Sequence, residues 1–255
     1  MSVEAASPTV APQTVWHQFE DIEQQNESYV VGMWTFLVTE IMFFGALFLA
    51  YVLYRAAYPD VFYDAHKHLN VKMGAANTMI LLTSSLTMAL AVRCAQIGNK
   101  RWKINWMCVT ILFAFGFLVI KYFEYTEKFE HHLFPGPTFK YSSHEHPGEA
   151  AHAAPVEIGV LGEGRKSLVP TGELGKDTRD KAQMFFSLYF VMTGLHGIHV
   201  IVGIIIMGAM IFGFKINYPS PSLHDYIPTE MTGLYWHFVD IVWIFLFPLY
   251  YLIPK

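Results

Sequence analysis

The sequence predicts an all-α membrane protein, a bundle of five transmembrane helices, and three observations support this fold class. Hydrophobic residues make up 53% of the 255 residues and charged residues only 15%, whereas soluble domains average about 25% charged residues. The charges are clustered, so long uncharged segments remain between them. Five of these segments approach or exceed the roughly 20 residues that an α-helix needs to cross a bilayer.

The spans are predicted at about residues 30–54, 73–92, 104–125, 182–214 and 231–253. The fourth is long enough to tilt or to project beyond the bilayer. Pro248 lies near the end of the fifth, where a missing backbone N–H favours a kink. Residues 1–29 form a polar tail before the first span, and residues 129–181 form a long polar loop between the third and fourth.

The basic residues of the short loops predict the orientation, because Lys and Arg accumulate on the cytoplasmic side. The loop between the second and third spans has four of them within eleven residues: Arg93, Lys100, Arg101 and Lys103. The loop between the first and second spans has three in a longer stretch. We therefore expect a cytoplasmic N-terminus, a C-terminus on the outer face, and loop 129–181 on the outer side.

Loop 129–181 is rich in Gly, Pro, Glu and His and has few apolar residues to bury, so an independent core is not expected. Loops of this length are usually functional or disordered. The loop contains five of the histidines: His131, His132, His144, His146 and His152. Such a tract either binds divalent metals weakly or is simply solvated.

Ionisable residues inside the spans are the candidate functional residues, since each costs a few kcal/mol to insert and needs a partner. Glu40 lies near the centre of the first span and has no basic neighbour at helical spacing in that span. One interpretation is a protonatable group that faces a cleft, a lipid or a partner subunit. The alternative is a structural carboxyl group with one interhelical hydrogen bond.

His237 and Asp240 lie three residues apart on one face of the fifth span, in LYWHFVDIVWIFLF. A satisfied structural pair, bonded across one turn or to the fourth span, is the favoured interpretation. Proton handling is the alternative.

His196 and His199 occur in TGLHGIHVIVG in the fourth span, also on one helical face. Gly194, Gly197 and Gly203 provide a small surface that lets another helix approach closely. Hydrogen bonds across such a contact are favoured over haem or metal ligation, because the two imidazoles point the same way rather than opposing each other across a macrocycle.

Glu124 and Glu127 occur in KYFEYTEKFEHH at the end of the third span. Lys121, Glu124 and Lys128 are spaced for ion pairs along the helix, which predicts a charged interfacial cap. A carboxylate–histidine metal site with His131 and a contact with another subunit are the alternatives.

The sequence contains no known catalytic motif, so no catalytic residue is predicted in this chain. The sequence has no glycine-rich phosphate loop, no nucleophile elbow and no CxxC pair. It has no basic and aromatic surface typical of nucleic-acid binding.

Four segments together resemble a known family. GMWTFLVTEIMFF, FEYTEKF, TGLHGIHVIVG and LYWHFVDIVWIFLF resemble signature segments of subunit III of haem–copper terminal oxidases, in the family's order and on the matching spans. NTMILLTSS on the second span is also similar. The resemblance covers all five spans and corresponds to the five-helix form of the family, which includes quinol oxidases as well as cytochrome c oxidases.

The resemblance implies an accessory subunit of a proton-pumping oxidase in an aerobic respiratory chain, multi-pass in the cell (inner) membrane. It implies no haem, copper or other metal in this chain, and haem and copper on partner subunits. The expected partners are subunit I, subunit II, other respiratory subunits and phospholipids. The subunit stabilises the catalytic subunit and supports proton uptake while oxygen is reduced to water.

The resemblance also assigns residues. The family's buried reactive glutamate corresponds to Glu40, its buried His and Asp of the last helix to His237 and Asp240, its paired histidines to His196 and His199, and its acidic pair to Glu124 and Glu127. Two features depart from the family: many members have seven spans, and their loop corresponding to 129–181 is short. We expect this loop to reach another subunit or an electron donor.

Two other functions remain open from the residues alone. A membrane b-type cytochrome would use His196, His199 or His237 as haem ligands. A free-standing transporter would explain the ionisable residues inside the spans. Cytochrome c and quinol both remain possible electron donors.

Overall fold

The computed structural model describes residues 15, 17–130, 133–136, 171–215 and 226–253. These residues form six α-helices and no β-strand: α1 (Ile22–Ala57), α2 (Pro59–His66), α3 (Val71–Gln96), α4 (Lys100–Glu130), α5 (Thr171–Lys215) and α6 (Ile227–Tyr251). All but α2 are long and apolar enough to cross a membrane. The predicted all-α class and the five spans are therefore confirmed, and the chain is a multi-pass membrane protein.

The helices extend beyond the apolar segments that predicted them. α1 begins at Ile22, α4 continues to Glu130, and α5 begins at Thr171, inside the segment predicted as loop 129–181. Hydropathy locates the part of a helix that lies in hydrocarbon, whereas polar turns continue the same helix into water. Residues 137–170 of that loop lie outside the described residues, as do His131 and His132.

Helix α2 is a short amphipathic helix that the hydropathy pattern did not predict. Pro59 occupies its first turn, where a missing N–H costs nothing, and Asp60 lies near the positive end of the helix dipole. Phe62 and Ala65, three residues apart, are fully buried. The helix therefore packs one face inward while it links α1 to α3.

The chain divides into two compact units, and each long helix contributes one segment to each unit. Unit 1 consists of residues 1–43, 79–117 and 197–242, and unit 2 of residues 44–78, 118–196 and 243–255.

Unit 1 is held by close contacts of α6 with α3 and α5. A Cβ added to Gly203 on α5 would lie 2.6 Å from Cζ3 of Trp236, so only glycine allows the indole to approach this closely. The Trp236 indole N–H donates to Ser84 Oγ of α3 at 3.2 Å. The predicted close approach thus holds at Gly203 but is wrong for Gly197, which has open space around it.

Unit 2 has an aromatic core. The Tyr51 and Tyr250 rings lie 4.8 Å apart in edge-to-face geometry, and Tyr250 contacts Tyr189 at 5.4 Å in the same way. Phe62 of α2 packs edge-on against Phe185 of α5 at 5.1 Å. Edge-to-face pairs of this kind add about 0.5–1.5 kcal/mol each beyond simple burial.

Gly203→Ala is expected to destabilise the protein by about 1–3 kcal/mol, because the added methyl group overpacks a rigid indole ring. The measurement is the unfolding midpoint of the protein in detergent. Gly208→Ala is the matched control on the same helix, since nothing lies within 4 Å of the added Cβ. Equal midpoints for the two variants would contradict this packing.

Candidate functional site

Glu40 has a partner that its own helix does not supply. Its Oε2 lies 3.2 Å from Nε2 of His199 on α5 within unit 1, and the two side chains are 19% and 17% exposed. The Tyr235 hydroxyl group donates to the backbone carbonyl of His199 at 2.9 Å, which ties α6 to the same point. The carboxyl group is therefore matched by a titratable imidazole.

The Glu40–His199 pair lies in the wall of an apolar cavity of about 440 Å³. Two further clefts of about 500 and 620 Å³ follow α1 toward its N-terminal end. We call these three clefts the α1 groove, lined by α1, α5 and α6. Its end near Ile22 is lined by three carboxylates: Glu23, Glu27 and Glu230. The three clefts thus follow α1 from its acidic N-terminal end to the Glu40–His199 pair.

His237 and Asp240 meet at a serine of another helix. Ser85 Oγ of α3 lies 2.7 Å from Nδ1 of His237, and the same hydroxyl group lies beside the carboxyl group of Asp240. Asp240 is 3% exposed, whereas the His237 ring is partly exposed. Both residues therefore lie near Ser85 in unit 1, but only His237 bonds it, and neither carboxylate oxygen of Asp240 makes a hydrogen bond with a described residue.

Unit 2 contains a buried ionic network around Glu124. Lys121 Nζ donates to Glu124 Oε2 at 2.9 Å, and the two residues are 6% and 0% exposed. The Tyr189 hydroxyl group donates to the other carboxylate oxygen at 2.9 Å, and the Tyr251 hydroxyl group also donates to it. Lys121 Nζ lies 4.8 Å from the centre of the Trp243 ring, a cation–π contact. Three helices thus satisfy both buried charges.

The neighbours of Glu124 behave differently from the predicted cap. Lys128 is 1% exposed and donates to the backbone carbonyl of His68 at 2.5 Å, so its direct hydrogen-bond partner is a main-chain oxygen rather than Glu124. Glu127 is partly exposed and interacts electrostatically with Lys128. Lys121 therefore supplies the direct cationic partner of Glu124.

His196 and His199 share a helical face but have different surroundings. His196 is 0% exposed, and its ring lies 5.1 Å from the Trp243 ring in unit 2. His199 is partly exposed beside Glu40 in unit 1. Among the described residues, no cluster of three or more His, Cys, Asp or Glu side chains has a geometry that holds a metal ion.

Sequence reasoning missed the residues that complete these sites: Ser85, Tyr189, Tyr235 and Tyr251. A weak signal exists for the tyrosines, because a phenol inside a span needs a hydrogen-bond partner. No such signal exists for Ser85, since a serine in a helix usually bonds its own backbone.

Lys121→Met or Glu124→Gln alone is expected to destabilise the protein by about 3–5 kcal/mol, because each leaves an uncompensated buried charge. The double variant should cost less than the sum, since it removes both charges. The measurement is a double-mutant cycle of unfolding midpoints.

The control for this cycle is Asp64→Asn, which breaks the partly exposed Lys67–Asp64 pair of α2. Exposed pairs contribute up to about 1 kcal/mol. An additive Lys121/Glu124 cycle, or a control that costs as much as the single variants, would contradict the buried network.

Comparisons with known proteins place the whole membrane region in one family. A family model described as cytochrome c oxidase subunit III matches residues 20–130 and 180–254. The chain is 28% identical over 229 residues to the cytochrome bo(3) ubiquinol oxidase subunit 3 of Pseudomonas putida, which covers 88% of the chain and 85% of that protein.

Two further relatives are also named as subunits of terminal oxidases. The quinol oxidase subunit 3 of Bacillus subtilis (strain 168) is 27% identical over 235 residues, which is 91% of each chain. The heme-copper oxidase subunit I+III of Aeropyrum pernix is 27% identical over 231 residues, which is 87% of this chain but 22% of that longer protein.

Proposed function

Because the chain belongs to the cytochrome c oxidase subunit III family, whose model matches most of its length, we propose that it is the accessory subunit III of a proton-pumping terminal oxidase. The complex reduces oxygen to water in an aerobic respiratory chain of the cell (inner) membrane. This subunit stabilises the catalytic subunit and supports proton uptake. The family match is the observation that carries the proposal.

The proposed principal partner is subunit I, which carries the haem and copper of the complex. The Aeropyrum pernix relative supports this partner, since its name describes subunits I and III in one chain. Subunit II and further respiratory subunits complete the assembly. The electron donor is a quinol or cytochrome c, and the names of the family model and the relatives include both types.

The proposed subunit has no redox centre of its own. The arrangement of its intramembrane residues supports this role. Glu124 is held by Lys121, Glu40 by His199, and the His196 ring packs on Trp243. These side chains stabilise helix contacts instead of converging on a shared ligand.

Co-purification tests this assignment. A tagged chain should retain a haem–copper oxidase from solubilised membranes, with oxygen uptake driven by a quinol or by reduced cytochrome c. The isolated chain should give no haem band in a reduced-minus-oxidised spectrum. A haem band in the isolated chain, or recovery without an oxidase, would exclude an accessory oxidase subunit.

Glu40 is the proposed functional ionisable residue. Its Oε2 lies 3.2 Å from Nε2 of His199, so a hydrogen on either atom can bridge the carboxyl group and the imidazole. In a low-dielectric wall such hydrogen bonds are strong, so the pair can hold a proton without exposing an unpaired charge. The acidic end of the α1 groove provides carboxylates toward the aqueous side of α1.

A phospholipid is the proposed occupant of the α1 groove. The cavity beside Glu40 is walled mainly by apolar side chains: Met33, Phe36, Ile198, Val202, Ile206 and Met231. An acyl chain matches such a wall, because it buries apolar surface without needing hydrogen bonds. The hydrogen bond between Glu40 and His199 can remain in place while the acyl chain is bound.

Glu40→Gln is expected to leave assembly intact, since the amide keeps a hydrogen-bonding group opposite His199. The number of turnovers before inactivation, or the initial rate of oxygen uptake, should fall several-fold if the carboxyl group carries a proton. His199→Gln should change the same quantity, because it removes the group that exchanges that proton.

Glu20→Gln is the control for charge loss, since this exposed carboxylate lies just before α1. Wild-type rates and wild-type turnover lifetimes in both Glu40 and His199 variants would restrict the pair to a structural role.

A further inference from the structure

The imidazole ring of His237 uses only one of its two nitrogens in a hydrogen bond with the described residues. His237 lies near the middle of α6, and the ring accepts or donates one hydrogen bond through Nδ1, with Ser85. The second ring nitrogen, Nε2, has no hydrogen-bond partner among the described residues, and the ring is partly exposed. Near the middle of a predicted span, a partly exposed ring thus has one nitrogen without a hydrogen bond.

The side chains next to His237 are exposed and apolar. Leu82 and Leu86 of α3 flank Ser85 and are 46% and 61% exposed, and Ile241, one turn after His237, is 50% exposed. All lie in unit 1. We call Leu82, Leu86, His237 and Ile241 the His237 face. It is an apolar surface with one imidazole nitrogen in it.

Other polar side chains on exposed helix faces satisfy themselves. Thr35 donates to the carbonyl of Val31 at 2.9 Å, and Thr83 donates to the carbonyl of Met79 at 2.8 Å. A hydroxyl group can reach the preceding turn in this way. The Nε2 atom of His237 cannot, because the ring is already held by Ser85 through its other nitrogen.

The hydrogen bond with Ser85 determines what Nε2 offers to a partner. If the Ser85 hydroxyl group donates to Nδ1, the neutral ring carries its proton on Nε2, which is then a donor. If Ser85 accepts from Nδ1–H, Nε2 of the neutral ring is an acceptor. In both cases a buried polar cluster orients the ring and leaves one hydrogen bond unmade, which hydrocarbon cannot supply.

We propose that the His237 face docks a transmembrane helix of the haem–copper subunit I, which presents a polar side chain or a free backbone group to Nε2 of His237. This inference rests on the proposed function. A lipid acyl chain offers no hydrogen-bonding atom at this depth, whereas a polar side chain on a neighbouring helix does. Subunit I is the occupant because a relative carries subunits I and III in one chain.

Photocrosslinking in the intact complex tests the partner. A photoreactive phenylalanine analogue replaces Leu86 in one variant and Ile241 in another. The control position is Leu112 of α4, which is 69% exposed in the same unit but is not part of the His237 face. Crosslinks to subunit I from both face positions, and none from Leu112, are expected.

Three crosslinking outcomes would overturn the proposal: crosslinks to lipid alone, crosslinks to a second copy of this chain, and equal crosslinking to subunit I from Leu112. Before the crosslinking experiment, co-purification of the wild-type chain with the oxidase is measured. Loss of that co-purification would refute the proposed function itself, and retention with a crosslink elsewhere would refute only this docking face.

Substitution of the imidazole tests its hydrogen bond. His237→Leu should lower retention of the chain on the oxidase as detergent increases, and His237→Gln, which keeps a donor and an acceptor, should recover part of it. Asp240→Leu should also lower retention, and the double variant should lose less than the sum of the singles, because both side chains lie beside Ser85.

Leu112→Ala is the control, with unchanged retention expected. A His237→Leu variant that folds and stays bound as firmly as the wild type, or that is not recovered at all by glutamine, would overturn the hydrogen-bonded contact. The Leu86 crosslink in the His237→Leu background gives a readout even where that variant is poorly recovered: it should weaken, and an undiminished crosslink to subunit I would exclude a contribution from His237.

Discussion

The absence of water in the hydrocarbon core is the constraint on which the structure depends. A charged or polar group inside a span has no solvent to bond, so the protein itself must supply its partner, from the same helix or from a neighbouring one. Glu40 of α1 meets this condition with His199 of α5, and Glu124 of α4 with Lys121 and two tyrosines. Each such contact costs desolvation and therefore persists only where the partner geometry is complete.

These polar contacts also determine which helix faces meet. In unit 1, Trp236 bonds Ser84 and His237 bonds Ser85, so two successive residues of α6 are matched to two of α3. Helix rotation or sliding would break both bonds at once, whereas apolar packing alone tolerates such shifts more easily. In α6, 50% of the most apolar stretch of the helix is buried, whereas in α1 only 17% is buried. This difference is consistent with α6 supplying contacts to several helices.

The sequence predicts the spans and the residues that need partners, but not the partners themselves. Helical periodicity assigns His237 and Asp240 to one face, yet it cannot reveal that His237 bonds Ser85 of another helix. Local spacing favoured a Lys128–Glu124 pair, whereas the lysine reaches a backbone carbonyl at His68, 60 positions away in sequence. Charge spacing reports what is possible within one helix, and tertiary packing selects among the possibilities.

The extension of α1 to Ile22 was missed for a related reason, since hydropathy reports the environment and not the hydrogen bonding of the backbone.

The same constraint separates two kinds of surface on unit 1. Along the α1 groove, Glu40 and His199 satisfy each other, so an apolar molecule can cover them without leaving a hydrogen bond unmade. On the His237 face, the inward nitrogen is satisfied and the outward one is not. An acyl chain is therefore sufficient for the groove, whereas the His237 face needs an occupant with a polar group at a defined depth. A subunit helix fixes such a group in position, which makes this face suited to protein contact and the groove suited to lipid.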